Sequence, residues 1–380
     1  MNIEATKIKI IDYILNDLEN GTDRSNVDRF ILAVRKDWAK SKGHLSSPLW
    51  VGWKITSKCN ISCKHCWAKL NGEDRDTDKM KDVIDKFYNN NIFHVTITGG
   101  EPMIRNDFFE IVRYLKDKKI HLELFTNGWF LNYENSKKLA NILSRYDTIQ
   151  ISLDGFNEKT HDSQRMKGSY KKVIEAFKNI SKFQIKTRLN FTATHLNVEE
   201  LYDTFMLANE LKIDVFSASP VYPSGKGRDI FHMLNQKDFL EQISRCIDQK
   251  NKLETYFRPF LPITIFSNSS YEKNHKSVDI ENIHKIEEGD LYWSIDANGD
   301  VYPSIDLYYN ELCGGNIYDN EIEEIQSNLN ENFNKFRNLK GTKCEQCNFL
   351  HLCEGGNLGR TFNKYKHFNM PDPICKKGVV

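Results

Sequence analysis

The sequence predicts an α/β fold in which helices cover a parallel β-sheet. Between residues 48 and 230, six short β-rich segments alternate with segments whose apolar residues recur at helical spacing. Strict alternation of this kind is typical of parallel strands joined by crossover helices. In addition, four of the strands end at a turn-forming residue or just before a cysteine, which places these residues at one edge of the sheet.

The six predicted strands are short and rich in β-branched and aromatic residues. In chain order they are PLWVGWKIT (48–56), IFHVTIT (92–98), HLELFT (121–126), TIQISL (148–153), TRLNFTAT (187–194) and IDVFSAS (213–219). The predicted helices between them are 77–90, 107–118, 136–146, 169–182 and 199–211. The residues expected on inward helix faces are Met80, Val83, Ile84, Phe87 and Tyr88 in the first helix, and Val173, Ile174, Phe177 and Ile180 in the fourth.

Several chemically active residues follow the carboxyl ends of these strands. They are Cys59, Cys63 and Cys66, then Gly99–Pro102, Thr126–Gly128 and Ser152–Gly155. Ligand sites of parallel α/β folds lie at this edge of the sheet. We therefore expect these residues to converge on one mouth, formed by the loops at the carboxyl ends of the strands.

Composition narrows the possible partners. The 53 basic and 52 acidic residues give a formal net charge of +1, so nothing in the overall charge favours nucleic acid or an anionic membrane as a partner. The start of the chain lacks the apolar segment of a signal peptide, and no stretch reaches the length of a membrane span. We therefore expect a cytoplasmic protein whose nine cysteines are reduced and serve as ligands or buried apolar residues.

The pattern divides the chain into four parts. Residues 1–46 are predicted to form a helical extension, 47–230 the α/β core, 231–289 a helical and irregular connector, and 290–380 a small C-terminal domain. The alternation of strands and helices stops near residue 230, which marks the main boundary.

The first cysteine group, CNISCKHC (59–66), has an unusual ligand number. Three thiolates are too few for a closed tetrahedral zinc site, although His65 offers a fourth ligand from an awkward position in the same loop. A 4Fe–4S cluster held by three thiolates keeps one iron open to a small molecule with an amine and a carboxylate. Both possibilities remain at this point.

The second group consists of four cysteines near the C-terminus. They are Cys344, Cys347, Cys353 and Cys375. Four thiolates suffice for a fully ligated 4Fe–4S cluster, and a structural zinc site is the alternative.

The motifs together resemble the radical S-adenosylmethionine (SAM) superfamily. The matching segments are CNISCKHC followed by Trp67, TGGEP (98–102), ISLDG (151–155) with HDSQRMKGSY (161–170), and VYPSGKGRD (221–229). The C-terminal segments WSIDANGDVYPS (293–304), CGGNIYDNEIEEI (313–325) and the second cysteine group resemble the SPASM extension of the subgroup that carries SPASM or twitch domains.

The resemblance implies a fold and a set of site residues. The fold is a partial (β/α)6 TIM-type barrel with a small C-terminal iron–sulfur domain of the twitch or SPASM type. Cys59, Cys63 and Cys66 would hold a 4Fe–4S cluster that binds SAM. The residues expected to contact SAM are Gly99 and Gly100 through their N–H groups, Glu101 through its carboxylate, Pro102 by fixing the turn, Ser152, and Arg165 as a fork for the SAM carboxylate.

Departures from the SPASM pattern imply one auxiliary cluster instead of two. Ser304 and Asn357 stand where the pattern has cysteines, and no cysteine lies between Cys246 and Cys313. Cys344, Cys347, Cys353 and Cys375 match the complete ligand set of the other cluster, which favours a second 4Fe–4S cluster over zinc. Cys313 is interpreted as a free thiol, and Cys246, inside an amphipathic helix, as a core residue.

The function implied is that of a radical SAM enzyme, with a catalytic residue not assigned. It would cleave SAM reductively to a 5′-deoxyadenosyl radical and abstract hydrogen from a substrate, with an external electron donor such as a flavodoxin or a ferredoxin. A ribosomally made peptide that is crosslinked or epimerised is the expected substrate, so the chain would be a peptide maturase. Maturation of haem or another cofactor is the alternative within enzymes, and a non-catalytic iron–sulfur redox sensor is the alternative outside them.

Overall fold

We analysed a computed structural model of the chain. It describes residues 46–68, 72–249, 252–259, 289, 291–336, 338–345 and 355–375. The predicted helical extension at 1–46 falls almost entirely outside the described residues, as do Cys347 and Cys353.

The described residues form one ten-stranded sheet. Its strands are β1 (Trp50–Lys54), β2 (His94–Thr98), β3 (His121–Thr126), β4 (Thr148–Ser152), β5 (Lys186–Ala193), β6 (Val215–Pro220), β7 (Tyr256–Pro259), β8 (Tyr292–Ile295), β9 (Asp300–Tyr302) and β10 (Gly315–Asn316). In space the order is β10-β9-β8-β1-β2-β3-β4-β5-β6-β7. Strands β1 to β7 are parallel to their neighbours, β8 is parallel to β1, and β9 and β10 are antiparallel additions.

The predicted α/β class and partial barrel are confirmed. Strands β1 to β6 coincide with the six predicted segments within a few residues. The described sheet ends at β7 on one side and at β10 on the other, so it is an open barrel.

Nine described helices connect or flank the strands. They are α1 (Thr77–Asn89), α2 (Phe108–Asp117), α3 (Tyr133–Ile142), α4 (Glu158–Gln164), α5 (Ser169–Ile180), α6 (Leu201–Glu210), α7 (Gln236–Gln249), α8 (Ile322–Phe336) and α9 (Leu358–Tyr365). The main core lies between the sheet and these helices. Trp53, for example, is fully buried and its ring meets that of Phe87 at 5.4 Å. Cys246 is fully buried in this core, as the sequence predicts.

The prediction that Tyr88 of α1 is buried is wrong. Met80, Val83, Ile84 and Phe87 are buried, but Tyr88 is 54% exposed. It stands about 40° beyond Ile84 around the helix axis, at the margin of the buried stripe, and the Lys118 ammonium lies 5.4 Å from its ring centroid. The cation and the water-exposed hydroxyl keep this ring at the surface.

The sheet crosses two of the predicted domain boundaries. Strand β7 lies inside the segment predicted as a connector, and β8 lies inside the segment predicted as the C-terminal domain. Because β8 pairs with β1 along Trp50–Trp53, the C-terminal segment contributes a strand to the central sheet. The boundaries at 230 and 290 therefore stay predictions about the sequence pattern, and neither coincides with an edge of the sheet.

A buried carboxylate fixes the amino ends of β3 and β4. Asp147 is fully buried and accepts hydrogen bonds from Lys116 Nζ (2.8 Å), Leu122 N (2.7 Å) and Ser144 N (2.7 Å). Burial alone would raise the pKa of Asp147, but the Lys116 ammonium and the N–H donors hold it below its ordinary value. One side chain thus connects the end of α2 with the starts of two strands.

Asp147→Asn is expected to lower the free energy of unfolding by about 3–5 kcal/mol, because it leaves the partly buried Lys116 ammonium without its partner. The pKa of Asp147 is depressed on folding, so its stabilisation is present above the unfolded value near pH 4 and is lost as the pH falls through the folded value. Denaturant unfolding of the wild type and the variant at several pH values measures both effects. Asp117→Asn, at an exposed carboxylate of α2, is the control. Equal stability of all three proteins at pH 7 would contradict this role for Asp147.

Candidate active site

The cysteine loop, residues 57–66, leaves the carboxyl end of β1. From residue 62 to residue 65 exposed and buried side chains alternate: Ser62 and Lys64 are exposed, and Cys63 and His65 are buried. The loop therefore has an outer and an inner face. Burial raises the pKa of the Cys63 thiol to about 11; the Arg165 guanidinium opposes this rise, and the neighbouring Cys66 and Cys59 add to it. All three thiols lie on this one loop, at the mouth of the barrel.

No group of three His, Cys, Asp or Glu side chains among the described residues is close enough to hold a single metal ion. A cubane cluster makes a different demand, because each of its thiolate ligands binds a separate iron. Three mutually interacting thiols on one short loop fit such a cluster better than they fit a single zinc ion.

The Gly99–Gly100 turn after β2 lies directly against the backbone of the cysteine loop. Gly100 N donates to Thr56 O (2.9 Å), and Glu101 N donates to Lys58 O (2.8 Å). A Cβ at Gly100 would lie 2.1 Å from Lys58 O, and one at Gly99, whose φ is +156°, would lie 2.5 Å from Thr56 O. Both glycines are therefore required for this close approach. In the structure the Gly100 N–H bonds to Thr56, directly before the cysteine loop, and its expected contact with SAM stays a prediction.

Glu101 makes three hydrogen bonds within the protein. Its carboxylate is fully buried and accepts from Thr126 Oγ1 (2.8 Å), Asn127 N (2.8 Å) and Met103 N (3.2 Å). Burial raises the pKa of Glu101 to about 7, and the hydrogen bonds limit the rise. The side chain thus joins the loop after β2 to the loop after β3, and its expected contact with the SAM ammonium stays a prediction. Pro102 begins the short 3₁₀ turn Pro102–Ile104 that this carboxylate caps.

Asn127 completes the contact between the β3 loop and the cysteines. Its Nδ2 donates to Asn60 Oδ1 (2.9 Å) and lies 4.0 Å from Cys59 Sγ. The sequence pattern placed Asn127 at the mouth but gave no signal for this pairing, because it depends on the conformation of the cysteine loop.

A second buried carboxylate, Asp154 at the end of β4, holds the inner face of the cysteine loop. Asp154 is fully buried; it pairs with Arg165 Nε, lies 3.2 Å from His65 Nε2, and accepts from Thr192 N (2.8 Å). Burial would raise the pKa of Asp154, but the Arg165 and His65 side chains hold it far below its ordinary value. The sequence pattern placed Asp154 at the mouth within the SLDG motif but assigned it no role, because its pairing with Arg165 and His65 depends on the folded loops.

Arg165 points toward the cysteine loop. Its Nη1 lies 3.8 Å from Cys63 Sγ, its Nε bonds Asp154, and only 9% of its side chain is exposed. Burial opposes the charge on Arg165, but the Asp154 carboxylate raises its pKa above the ordinary value. Part of the guanidinium fork expected for SAM is therefore already committed to the protein.

Ser152 ends β4 and pairs in register with Asn190 of β5. It is half-buried, beside a polar group in which Ser217 Oγ donates to Asn190 Oδ1 (3.2 Å). Its place at the mouth agrees with the expected one.

The described residues from 291 onward, which we call the C-terminal lobe, contact the end of the cysteine loop through aromatic rings. The ring of Trp67, next to Cys66, is parallel to that of Tyr308 within 9°, with centroids 6.2 Å apart. The Lys54 ammonium at the end of β1 lies 4.5 Å from the Tyr308 centroid and 5.7 Å from that of Trp67. The lobe therefore covers one side of the mouth.

The two positions that depart from the SPASM cysteine pattern bond to the same carboxylate. Ser304 Oγ donates to one oxygen of Asp306, and Asn357 Nδ2 donates to the other. Asp306 and Ser304 are buried, and a Cβ at Gly359 would lie 2.6 Å from Asp306 Oδ2. This compact polar cluster, which we call the Asp306 cluster, fills the space between the three segments.

Two of the four C-terminal ligand candidates are described. Lys343, which precedes Cys344, donates through Nζ to Cys375 O (2.7 Å), and Cys375 N donates to Asp372 O (3.0 Å). These contacts bring the segments of Cys344 and Cys375 together. Cys347 and Cys353 lie outside the described residues.

Fold and site together define an iron–sulfur enzyme built on an open parallel barrel. A family model of the radical SAM superfamily matches residues 53–208, and a model of the SPASM iron–sulfur cluster-binding domain matches residues 287–348. The chain belongs to the radical SAM superfamily and carries a SPASM domain. Its cofactors are accordingly SAM and iron–sulfur of the 4Fe–4S type, as the sequence predicts.

Similar proteins extend over most of the chain. The mycofactocin maturase MftC of Mycolicibacterium smegmatis is 27% identical over 88% of this chain and 84% of its own length. An AdoMet-dependent heme synthase of Methanosarcina barkeri is 28% identical over 87% of this chain and 97% of its own length. Among solved structures, Streptococcus suis SuiB bound to the precursor peptide SuiA has a TM-score of 0.73, with 21% identity over 92% of this chain and 81% of that chain. The last comparison supports the fold.

No helix in the described part of the chain is long and apolar enough to cross a membrane.

The contacts of Glu101 generate a prediction about stability. Glutamine at position 101 has one acceptor oxygen for three donors, so Glu101→Gln should lower the free energy of unfolding by about 1–3 kcal/mol. Thr126→Val removes one of the donors and also the acceptor of Gly128 N (3.1 Å), so it should cost a similar amount. Thermal unfolding of the cluster-free proteins measures these differences. An unchanged melting temperature combined with a large loss of SAM affinity would contradict the bracing role and restore the direct contact with SAM.

Proposed function

We propose that this radical SAM enzyme modifies a peptide, with Cys59, Cys63 and Cys66 holding the cluster that binds SAM. The observation that supports it best is the cysteine loop itself. Three interacting thiols lie at the barrel mouth, fixed by backbone bonds to the Gly99–Gly100 turn and by His65 to Asp154. When bound there, the cluster and SAM would supply a 5′-deoxyadenosyl radical that abstracts hydrogen from the substrate.

The residues of the mouth position these cofactors. Gly99, Gly100, Glu101 and Pro102 form the turn against which SAM would lie, with the carboxylate of Glu101 bracing it from below. Arg165 would place positive charge beside the Cys63 thiolate and direct its remaining N–H groups to the SAM carboxylate. Ser152 would add a hydroxyl at the neighbouring strand end. The loops and the C-terminal lobe around the mouth would keep water from the radical.

A single auxiliary 4Fe–4S cluster in the C-terminal lobe completes the proposal. Its ligands would be Cys344, Cys347, Cys353 and Cys375. The contact between Lys343 and Cys375 supports their convergence, and the Asp306 cluster supports the absence of a second auxiliary site, because hydrogen bonds fill the space between Ser304 and Asn357. Four thiolates leave no iron open, so this cluster would transfer electrons or hold the lobe together.

The similarity to MftC over most of both chains favours a peptide substrate. The heme synthase of M. barkeri, matched over 97% of its length, favours cofactor maturation as the second candidate. An assay separates them: the anaerobic enzyme is given SAM, a reductant and either the product of a neighbouring short open reading frame or an iron porphyrin precursor. Modification of the peptide supports the proposal, and modification of the porphyrin alone overturns it. A redox sensor would form no 5′-deoxyadenosine with either.

Anaerobic reconstitution should give two cubane clusters, or about eight irons per chain. Replacing Cys59, Cys63 and Cys66 together with alanine should leave about four, because the auxiliary site is separate. Iron and sulfide assays with Mössbauer spectroscopy provide the count. About twelve irons in the wild type would contradict the loss of the second auxiliary site, and zinc in place of four irons would contradict the remaining one.

Cys375→Ala should uncouple the two halves of the reaction. 5′-Deoxyadenosine should still form without substrate because the first cluster is intact, whereas substrate modification should be lost with the auxiliary cluster. Cys313→Ala, at a cysteine outside both ligand sets, is the matched control and should retain both activities. Chromatographic measurement of 5′-deoxyadenosine and mass spectrometry of the substrate in the same samples test this. Wild-type modification by Cys375→Ala would show that the auxiliary cluster is dispensable.

A further inference from the structure

We propose that the outer face of the cysteine loop, with Lys64 and Lys226 at its centre, is the docking surface for an acidic electron-carrier protein. The inference rests on the proposed function, because it assumes that the loop holds the cluster that must be reduced. It adds to that function the place where the electron enters and the chemistry of the partner that delivers it.

The two faces of the loop have opposite character. Cys63 and His65 point inward and are buried, whereas Ser62 and Lys64 alternate with them and are exposed. Only the thickness of this loop therefore separates the proposed cluster from solvent. An electron carrier bound on the outer face would place its redox group across this loop from the cluster.

A second loop adds charge to the same face. Lys226 N donates to Cys66 O (2.8 Å), and Lys226 Nζ donates to Ser62 Oγ (2.7 Å). A Cβ at Gly225, whose φ is +54°, would lie 2.4 Å from Cys66 O, so glycine is needed to bring the loop this close. These contacts fix the exposed Lys226 on the cysteine loop, with its ammonium at Ser62, two residues before Lys64.

The two loops at this face carry more basic than acidic residues. Residues 57–68 contain two lysines and no carboxylate, and residues 221–230 contain Lys226 and Arg228 with one carboxylate, Asp229. Lys58 pairs with Asp74 at 3.3 Å and is partly neutralised. Lys64 and Lys226 have no carboxylate within ion-pair distance among the described residues. The face therefore differs from the chain as a whole, whose formal net charge is only +1.

The occupant follows from these charges and from the reaction. Reductive cleavage of SAM needs one electron from outside the chain: the carrier is oxidised by one electron, the cluster is reduced by one, and no atom is transferred. A carrier with carboxylates around its redox group, such as a flavodoxin, complements the two lysines. Complementary charge of this kind raises association rates by about ten- to a thousand-fold at low ionic strength.

The test compares two sources of electrons for the same reconstituted enzyme. Flavodoxin with its reductase is the protein source, and excess dithionite is the chemical source; 5′-deoxyadenosine formation is measured with each. The variants are Lys64→Glu, Lys226→Glu and the double variant, and Lys137→Glu on the exposed side of α3 is the control. Flavodoxin binding is also measured directly by titration of its flavin fluorescence, at low salt and at about 0.5 M salt.

We expect each single reversal to weaken flavodoxin binding and the flavodoxin-driven rate by about tenfold at low salt, and the double variant by more. The differences should shrink at high salt, where surface charges are screened. Dithionite-driven rates and iron content should not change, and Lys137→Glu should match the wild type throughout.

Three results would overturn the proposal. Undiminished flavodoxin binding in the double variant would place electron entry elsewhere, for example at the auxiliary lobe. An equal loss with dithionite would assign the lysines to the structure of the loop. Failure of flavodoxin to drive a reaction that dithionite drives would exclude this class of partner. If dithionite too forms no 5′-deoxyadenosine in the wild type, the proposed function itself fails.

Discussion

The site depends on the close approach of two backbones. The Gly99–Gly100 turn touches the start of the cysteine loop so tightly that neither glycine position has room for a side chain. Two backbone hydrogen bonds hold the contact, and they position the first cysteine relative to the end of β2. The cysteine spacing determines how many thiols are present, whereas this contact determines where they lie.

Two buried carboxylates then fix the surroundings of the loop, by different means. Glu101 is held by neutral donors, so burial dominates and raises its pKa to about 7. Asp154 has the Arg165 guanidinium and His65 beside it, so attraction dominates and its charge persists. Glu101 therefore braces neighbouring strand ends although burial disfavours its charge, whereas Asp154 neutralises a cation that lies against a cysteine. Both are completely inaccessible to solvent, so a bound cofactor would meet the backbone and Arg165 before it met either carboxylate.

Much of the fold could be predicted from sequence, because apolar periodicity reports which local segments are strands and helices. The alternation located β1 to β6 and brought the cysteines, Gly99–Pro102 and Ser152 to one edge. Pairing across long distances in sequence left no such signal: β8 joins β1 through a segment of only four residues. The sequence pattern also does not predict which way a side chain at the site points. The motif identified Glu101 and Arg165, but whether a carboxylate faces a ligand or a neighbouring loop depends on contacts that periodicity does not encode. Tyr88 was misplaced for a related reason, since helical spacing does not tell which residue at the margin of an apolar stripe is buried.

Strand β8 has a consequence for how the chain can fold. In the sheet order, β1 lies between β2 and β8, and its partner on one side is made about 240 residues later. A nascent chain that has completed β2 to β6 still exposes one edge of β1, with its unpaired amide and carbonyl groups, until residues 292–295 leave the ribosome. Closing a loop of this length is slow compared with forming the local strand–helix units. The cysteine loop follows β1 directly, so the strand that waits for β8 also carries the loop that receives the cluster. A protein truncated before residue 292 would leave the edge of β1 unpaired, and this edge would be a template for aggregation.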